Sequence, residues 1–107
     1  METPKDFKKL CGMLGLAMRA GKLIRGSEMV CESVRKKKAK LVLLASNASA
    51  NTQKKVGNCC SYYQISCRNL PIDTETLAHA VGSSAAVAAV AITDASFQNA
   101  LIQLNDE

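Results

Sequence analysis

The chain has 107 residues, 48 % of them apolar and 21 % charged, and a net charge of +5. That length supports one hydrophobic core but not two, and the composition is globular rather than disordered. No apolar run nears the roughly 18 residues of a membrane span, and METPKDFKK has no apolar export stretch. One cytoplasmic domain over residues 1–107, with no membrane partner, is therefore expected.

In chain order, Thr3-Pro4 reads as a helix start, because the missing proline amide costs nothing in a first turn. Phe7, Leu10, Cys11, Leu14 and Met18 recur at steps of three and four, as on an amphipathic helix. Gly12 and Gly15 are expected to allow close packing there, and Gly21 to end the helix. Lys22 to Arg25 is a short extended segment that Gly26 breaks. Ser27 is expected to cap a second helix, on which Val30 and Val34 form a narrow apolar stripe. Leu41 to Ala45 reads as a strand.

Ser46-Asn47-Ala48-Ser49 is a loop, and Ser49 caps a third helix with Val56, Cys59, Cys60 and Tyr63 inward and Lys54 and Lys55 outward. Gln64 to Arg68 is a short strand with Ile65 and Cys67 on one side, followed by a turn at Asn69-Leu70-Pro71. Asp73 or Thr74 caps a fourth helix carrying Leu77, Ala80 and Val81, which stops at Gly82. Gly82 to Ile92, GSSAAVAAVAI, is alanine-rich, but its length and flanking turn signals favour a strand buried on both faces. Asp94 caps a last helix with Phe97, Leu101, Ile102 and Leu104. Strands separated by helices of ten or more residues imply crossovers. The expected fold is α/β, a three-layer α/β/α sandwich on a four-stranded mixed sheet.

Charge is unevenly placed. Eight of the fourteen cationic residues lie between Arg19 and Lys40, opposed there only by Glu28 and Glu32, which makes a local field that attracts polyanions. Cys11, Cys31, Cys59, Cys60 and Cys67 are odd in number and contain no C-x-x-C, so they read as small apolar residues in a reducing compartment. A metal site from Cys59, Cys60, Cys67 and the single His79 is the alternative that this spacing disfavours, and no metal or other cofactor is expected.

An enzyme is not expected. His79 has no carboxylate nearby in sequence to orient it, and the chain has no nucleophile elbow, phosphate loop or dinucleotide fingerprint. No helix-turn-helix or zinc-finger pattern points to DNA. Phe7, Tyr62, Tyr63 and Phe97 are too few for a base-stacking platform. What remains is a folded RNA read by shape, its phosphates met by lysine and arginine.

Several segments together resemble a known family. They are MLGLAMRAGK at Met13 to Lys22, Gly26 opening a helix, AKLVLLA at Ala39 to Ala45, LAHAVG at Leu77 to Gly82, and the strand Val90-Ala91-Ile92. Their order from about Phe7 to Leu104 is similar to the ribosomal protein L7Ae family, and within it to the small bacterial YlxQ-like branch. The resemblance implies a sandwich that binds kink-turn or related structured RNA, such as an rRNA element, in a ribosomal or translation-associated ribonucleoprotein. It places the contact at the glycine and first turn of the second helix and at the apolar loop before the last strand. Here those positions are Gly26, Ser27, Glu28, Met29 and Glu32, with Gly82, Ser83, Ser84 and Ala85. Arg25, Arg35, Lys36, Lys37 and Asn47 complete the candidate set, with the lysines expected beside the two glycines.

Three positions depart from the family pattern of its strong RNA binders, an asparagine and a glutamate early in the helix and a lysine one turn later. They hold Glu28, Met29 and Glu32. An ionised glutamate only accepts hydrogen bonds, and Glu32 reverses a charge beside the phosphate path. Both acids also have structural readings: Glu28 at a helix N-terminus, and Glu32 pairing with Lys36 at i,i+4. The RNA binder is expected to be a monomer; the same fold also resembles protein-binding stress adaptors, so a protein-interaction adaptor with weak or no RNA binding is the alternative expectation.

Overall fold

The computed structural model describes residues 6–106. The elements are α1 (Asp6–Arg19), β1 (Leu23–Arg25), α2 (Ser27–Arg35), β2 (Leu41–Leu44), α3 (Ala50–Tyr63), β3 (Ser66–Asn69), α4 (Thr74–Ala80), β4 (Ala89–Ile92) and α5 (Ala95–Asp106). The helix start expected at Thr3-Pro4 and the side chain of Phe7 lie outside the described residues. The sheet order is β1-β4-β2-β3; β2 and β3 are parallel, and β4 is antiparallel to both of its neighbours. The mixed four-stranded sheet is thus as expected.

Alternation along the strands makes the three layers. Leu41, Leu43, Val90 and Ile92 face α1, α4 and α5, where Leu10, Leu14, Leu77 and Leu101 are buried. Val42, Leu44, Ala89 and Ala91 face α2 and α3, against Val30, Val34, Val56 and Cys60. Each large side chain fully buried this way contributes about 1.5–3 kcal/mol. Four of the five cysteines, Cys31, Cys59, Cys60 and Cys67, pack in or against the second cluster, and all five are free thiols. Burial raises the Cys31 and Cys11 thiols above the ordinary thiol value.

The helix ends show why the chain turns where it does. Gly21, at φ +75°, closes α1: its amide reaches Met18 O at 3.1 Å and the Lys22 amide reaches Ala17 O at 2.9 Å. Ser49 accepts from the Thr52 amide at 3.1 Å and Asp73 from the Thr76 amide at 2.8 Å, both as caps. Asp94 Oδ2 accepts from the Ser96 and Phe97 amides. α2 ends in the same pattern as α1, with the Lys37 amide on Val34 O and the Lys38 amide on Ser33 O, but the left-handed position is Lys37 at φ +62°. That conformation costs a residue with a Cβ about 1–2 kcal/mol.

Gly15 touches α4 closely. A Cβ there would lie 2.9 Å from the carbonyl oxygen of Ala80. Gly12, expected to serve the same purpose, is exposed and would meet nothing within 4 Å.

Three local expectations are corrected. Ser27 does not cap α2; it is the first helical residue, and the cap is Gly26, at φ 98° and ψ 134°, without a side-chain bond. The strand expected over Gly82 to Ile92 is only Ala89–Ile92. Before it, Gly82 is left-handed, the Ser83 hydroxyl donates to Ala85 O at 2.8 Å, and the Val87 amide goes to Thr74 O. Those groups are committed outside the ladder, so residues 82–88 form a loop. The strand expected from Gln64 starts at Ser66, because Gln64 ends α3 in the left-handed region and the Ile65 amide returns to Cys60 O.

Candidate nucleic-acid interface

One end of the sheet gathers most of the candidate residues. The Gly26 amide donates to Ala89 O at 2.9 Å, fixing the start of α2 at the first residue of β4. Arg25 Nη1 donates to Val81 O at 2.8 Å, directly before Gly82. Arg25 is therefore a strut between the α2 turn and the α4–β4 loop. Asn47 Oδ1 accepts from the Thr74 amide at 2.8 Å, and the Ala45 amide donates to Ala88 O, so the loop after β2 braces the same region. Gly26, Ser27, Glu28, Met29, Asn47 and Gly82 to Ala85 share this end. Ser84, Ala85 and Ala86 are exposed on it. Gly82, at φ +72°, supplies the left-handed turn that leads into the loop.

Both acids of α2 are engaged. Glu28 Oε2 lies 2.9 Å from Lys55 Nζ on α3, and Glu32 Oε2 lies 3.0 Å from Lys36 Nζ. The Lys55 ammonium holds the Glu28 carboxyl below its ordinary value, and Lys36 does the same for Glu32. Both pairs are solvent-exposed, and their charges are mutually compensated rather than bare. The Glu32–Lys36 pair is legible as an i,i+4 spacing. Lys55 is not, because its partner is 27 residues away on another helix.

The basic run does not lie beside the glycines. α2 starts at the Gly26 end and carries Arg35, Lys36 and Lys37 at its other end, nine helical residues or roughly 13 Å away. Lys40 donates its amide to Ile92 O, and Lys22 O accepts from the Thr93 amide, so both sit at the opposite end of β4 from Gly26. Helical rise separates what the sequence places close together. A shallow groove of about 110 Å³ between β1 and α2, lined by Ile24, Met29, Glu32, Ser33, Lys36 and Lys38, runs between the two ends.

A second recess, of about 320 Å³, lies beside the loop between α4 and Ser83 to Ala86, with Glu75 and His79 on its wall; Glu75, four residues before His79 on α4, corrects the expectation that no carboxylate lies near it. No spacing in the sequence announces it, because it exists only where the loop folds back on α4. His79 is exposed in the last turn of α4, and no group of three or more His, Cys, Asp or Glu among the described residues is placed to hold a metal ion. Among the described residues, no helix is long and apolar enough to cross a membrane. The arrangement offers two chemistries: close-fitting small residues, amides and hydroxyls at the loop end, and ammonium groups at the lysine end.

Comparison with known proteins gives a consistent set of relatives. The model of the ribosomal protein L7Ae/L30e/S12e/Gadd45 family matches residues 8–102. The RNA-binding protein YlxQ of Bacillus subtilis is 43 % identical over 94 residues, 88 % of this chain and 92 % of that protein. The RNA-binding protein YlxQ of Enterococcus faecium is 47 % identical over 68 residues, 64 % of this chain and 66 % of that protein. Among solved structures, a Bacillus halodurans protein described as of unknown function is similar with a TM-score of 0.85 at 34 % identity, over 92 % of this chain and 98 % of that one. The Giardia lamblia 15.5kD RNA binding protein has a TM-score of 0.73 at 16 % identity, covering 99 % of this chain and 89 % of that one, and shares the fold.

Proposed function

The chain belongs to the ribosomal protein L7Ae/L30e/S12e/Gadd45 family, and from that premise we propose that it binds structured, sharply bent RNA of the kink-turn kind without catalysing a reaction. It works as one RNA-binding domain over residues 1–107, a cytoplasmic monomer in a ribosomal or translation-associated ribonucleoprotein. The observation that carries this reading is the Arg25–Val81 bond with the Gly26–Ala89 bond. Together they tie the start of α2 and the Gly82 to Ala85 loop to one end of the sheet as one preformed site. The names of the YlxQ relatives support RNA as the ligand.

The chemistry follows from the side chains present. The small loop residues let backbone approach an irregular groove closely; Ser27 and Ser84 can donate or accept at base edges and 2′-hydroxyls, and Ser83, whose hydroxyl donates to Ala85 O, can accept there. With Lys55 on Glu28 and Lys36 on Glu32, neither carboxylate meets the RNA as an isolated negative charge. Shape selects the ligand, because a preformed site loses little freedom on binding.

Titrating a kink-turn RNA and a straight duplex of equal length tests this. The bent RNA should bind more tightly, and Glu32→Lys should strengthen that binding and steepen the log–log salt slope by about 0.7–0.9. Equal affinity for both RNAs, with no response to Glu32→Lys, would remove the reading. One observation favours a second reading as a protein-binding adaptor: Met29, in the first turn of α2, is 55 % exposed next to Ile24 in the groove. In that case a stoichiometric protein co-purifies and nuclease treatment does not release it.

A further inference from the structure

We infer that the lysine end of the sheet is a second RNA contact, separate from the glycine end, that takes the phosphates of a duplex arm leaving the bend. This rests on the RNA-binding reading above.

Lys22 and Lys40 border Ile92 and Thr93 at one end of β4, and Lys36 to Lys38 close α2 just before Lys40, about one α2 length from Gly26, further than one nucleotide spans. Among the described residues, no ion pair engages Lys22, Lys37, Lys38 or Lys40. The nearest acid in sequence to the Thr93 turn is Asp94, whose carboxylate accepts from the Ser96 and Phe97 amides instead. Glu32, beside Lys36 and within the field of Lys38, and Asp94 offset the cationic field at this end only in part. Lysine presents a compact charge on a flexible stem, suited to phosphate rather than to base edges.

Lys37 adds an independent observation. It occupies the left-handed position that closes α2, where glycine fits without strain. Gln64 closes α3 in the same conformation, so strain alone is no signature. Both are exposed, and what sets Lys37 apart is its charge: it is a cation with no ion-pair partner among the described residues, within the run Arg35 to Lys38. The chain keeps an ammonium where the backbone favours glycine, which a purely structural turn does not require. Among the described residues Tyr62 is the one highly exposed aromatic side chain, and alone it makes no stacking platform, so the ligand is duplex rather than single strand.

The experiment measures three RNAs by anisotropy at about 50 and 200 mM salt: a bent RNA with minimal arms, the same RNA with either arm lengthened by one helical turn, and a straight duplex. Wild type should gain affinity from one of the extensions. Lys37→Gly with Lys38→Ala should abolish that gain, lower the salt slope on the extended RNA by about 0.7–0.9 per phosphate contact, roughly three-fold in affinity each over that salt range, and leave the minimal RNA unaffected.

Lys37→Gly alone should raise the melting temperature by roughly 4 °C while weakening arm binding, a split that a merely structural lysine would not give. No gain from either extension, or equal losses on minimal and extended RNA, overturns the inference. So does a single-stranded extension that binds as well as the duplex and is lost with Tyr62→Ala. If wild type does not prefer the minimal bent RNA over the straight duplex, the reading of the glycine end fails. The lysine end is then judged separately, by whether the double variant weakens straight-duplex binding.

Discussion

Gly12 and Gly15 lie three residues apart on α1, yet the same substitution should act on them in opposite directions. Alanine is favoured over glycine in a helix interior by about 0.5–1 kcal/mol. At Gly12 the added Cβ meets nothing within 4 Å, so Gly12→Ala should realise that gain. At Gly15 the Cβ would lie 2.9 Å from Ala80 O, a backbone atom that cannot rotate aside. To restore ordinary contact at 3.4 Å, α1 and α4 must part by about half an ångström. Overpacking of this kind costs about 1–3 kcal/mol, which exceeds the helix gain and leaves a net loss of about 1–2 kcal/mol. For a chain of 107 residues, 1 kcal/mol moves the melting temperature by roughly 4 °C. Thermal unfolding followed by circular dichroism should show Gly12→Ala raised by roughly 2–4 °C and Gly15→Ala lowered by roughly 4–8 °C. Shifts of the same sign would refute the assignment of Gly15 as a packing contact. Because α4 leads into the Gly82 loop, Gly15→Ala should also speed amide exchange over residues 82–86.

Gly26→Ala tests the backbone rather than the packing. The space around its Cβ is open, so the loss comes from φ 98° alone, about 1–3 kcal/mol, with a lower melting temperature and weaker binding of bent RNA. A variant as stable as wild type would mean that the turn re-forms with another residue. Acid should destabilise the fold through Asp73, whose carboxyl is held below its ordinary value of 3.8 by the Thr76 amide, and through Glu28 and Glu32 with their lysines. Each folded pKa is depressed, so this stabilisation is present above the unfolded value and lost as pH falls through the folded one, below about pH 4. Asp73→Asn keeps the accepting oxygen but not the titration, so its denaturation midpoint should fall less between about pH 7 and pH 3 than that of wild type. An unchanged acid response would place the effect elsewhere.

What the sequence disclosed follows the range of the interactions involved. The caps at Ser49, Asp73 and Asp94, the stop at Gly21 and the Glu32–Lys36 pair all act within five residues, and each is readable from spacing. The layers were readable because β2 is apolar on both faces. The Gly82 to Ala88 segment misled because an apolar alanine-rich run says nothing about where its amides bond. Here the Val87 amide donates to Thr74 O and Ala88 O accepts from the Ala45 amide, partners remote in sequence. The Lys55–Glu28 pair and the Arg25–Val81 strut were hidden for the same reason. The lysine run looked adjacent to Gly26 because text has no rise per residue. Nine helical residues carried it to the other end of the molecule.

The two sides of β4 differ in bulk: Ala89 and Ala91 meet α2 and α3, whereas Val90 and Ile92 meet the opposite layer. Methyl groups on the α2 side set the height at which that helix rides above the sheet, and α2 carries the glycine turn at one tip and the cations at the other. Branching the side chain at Ala91 would lift both tips together and alter the span offered to a ligand without touching any residue that ligand meets.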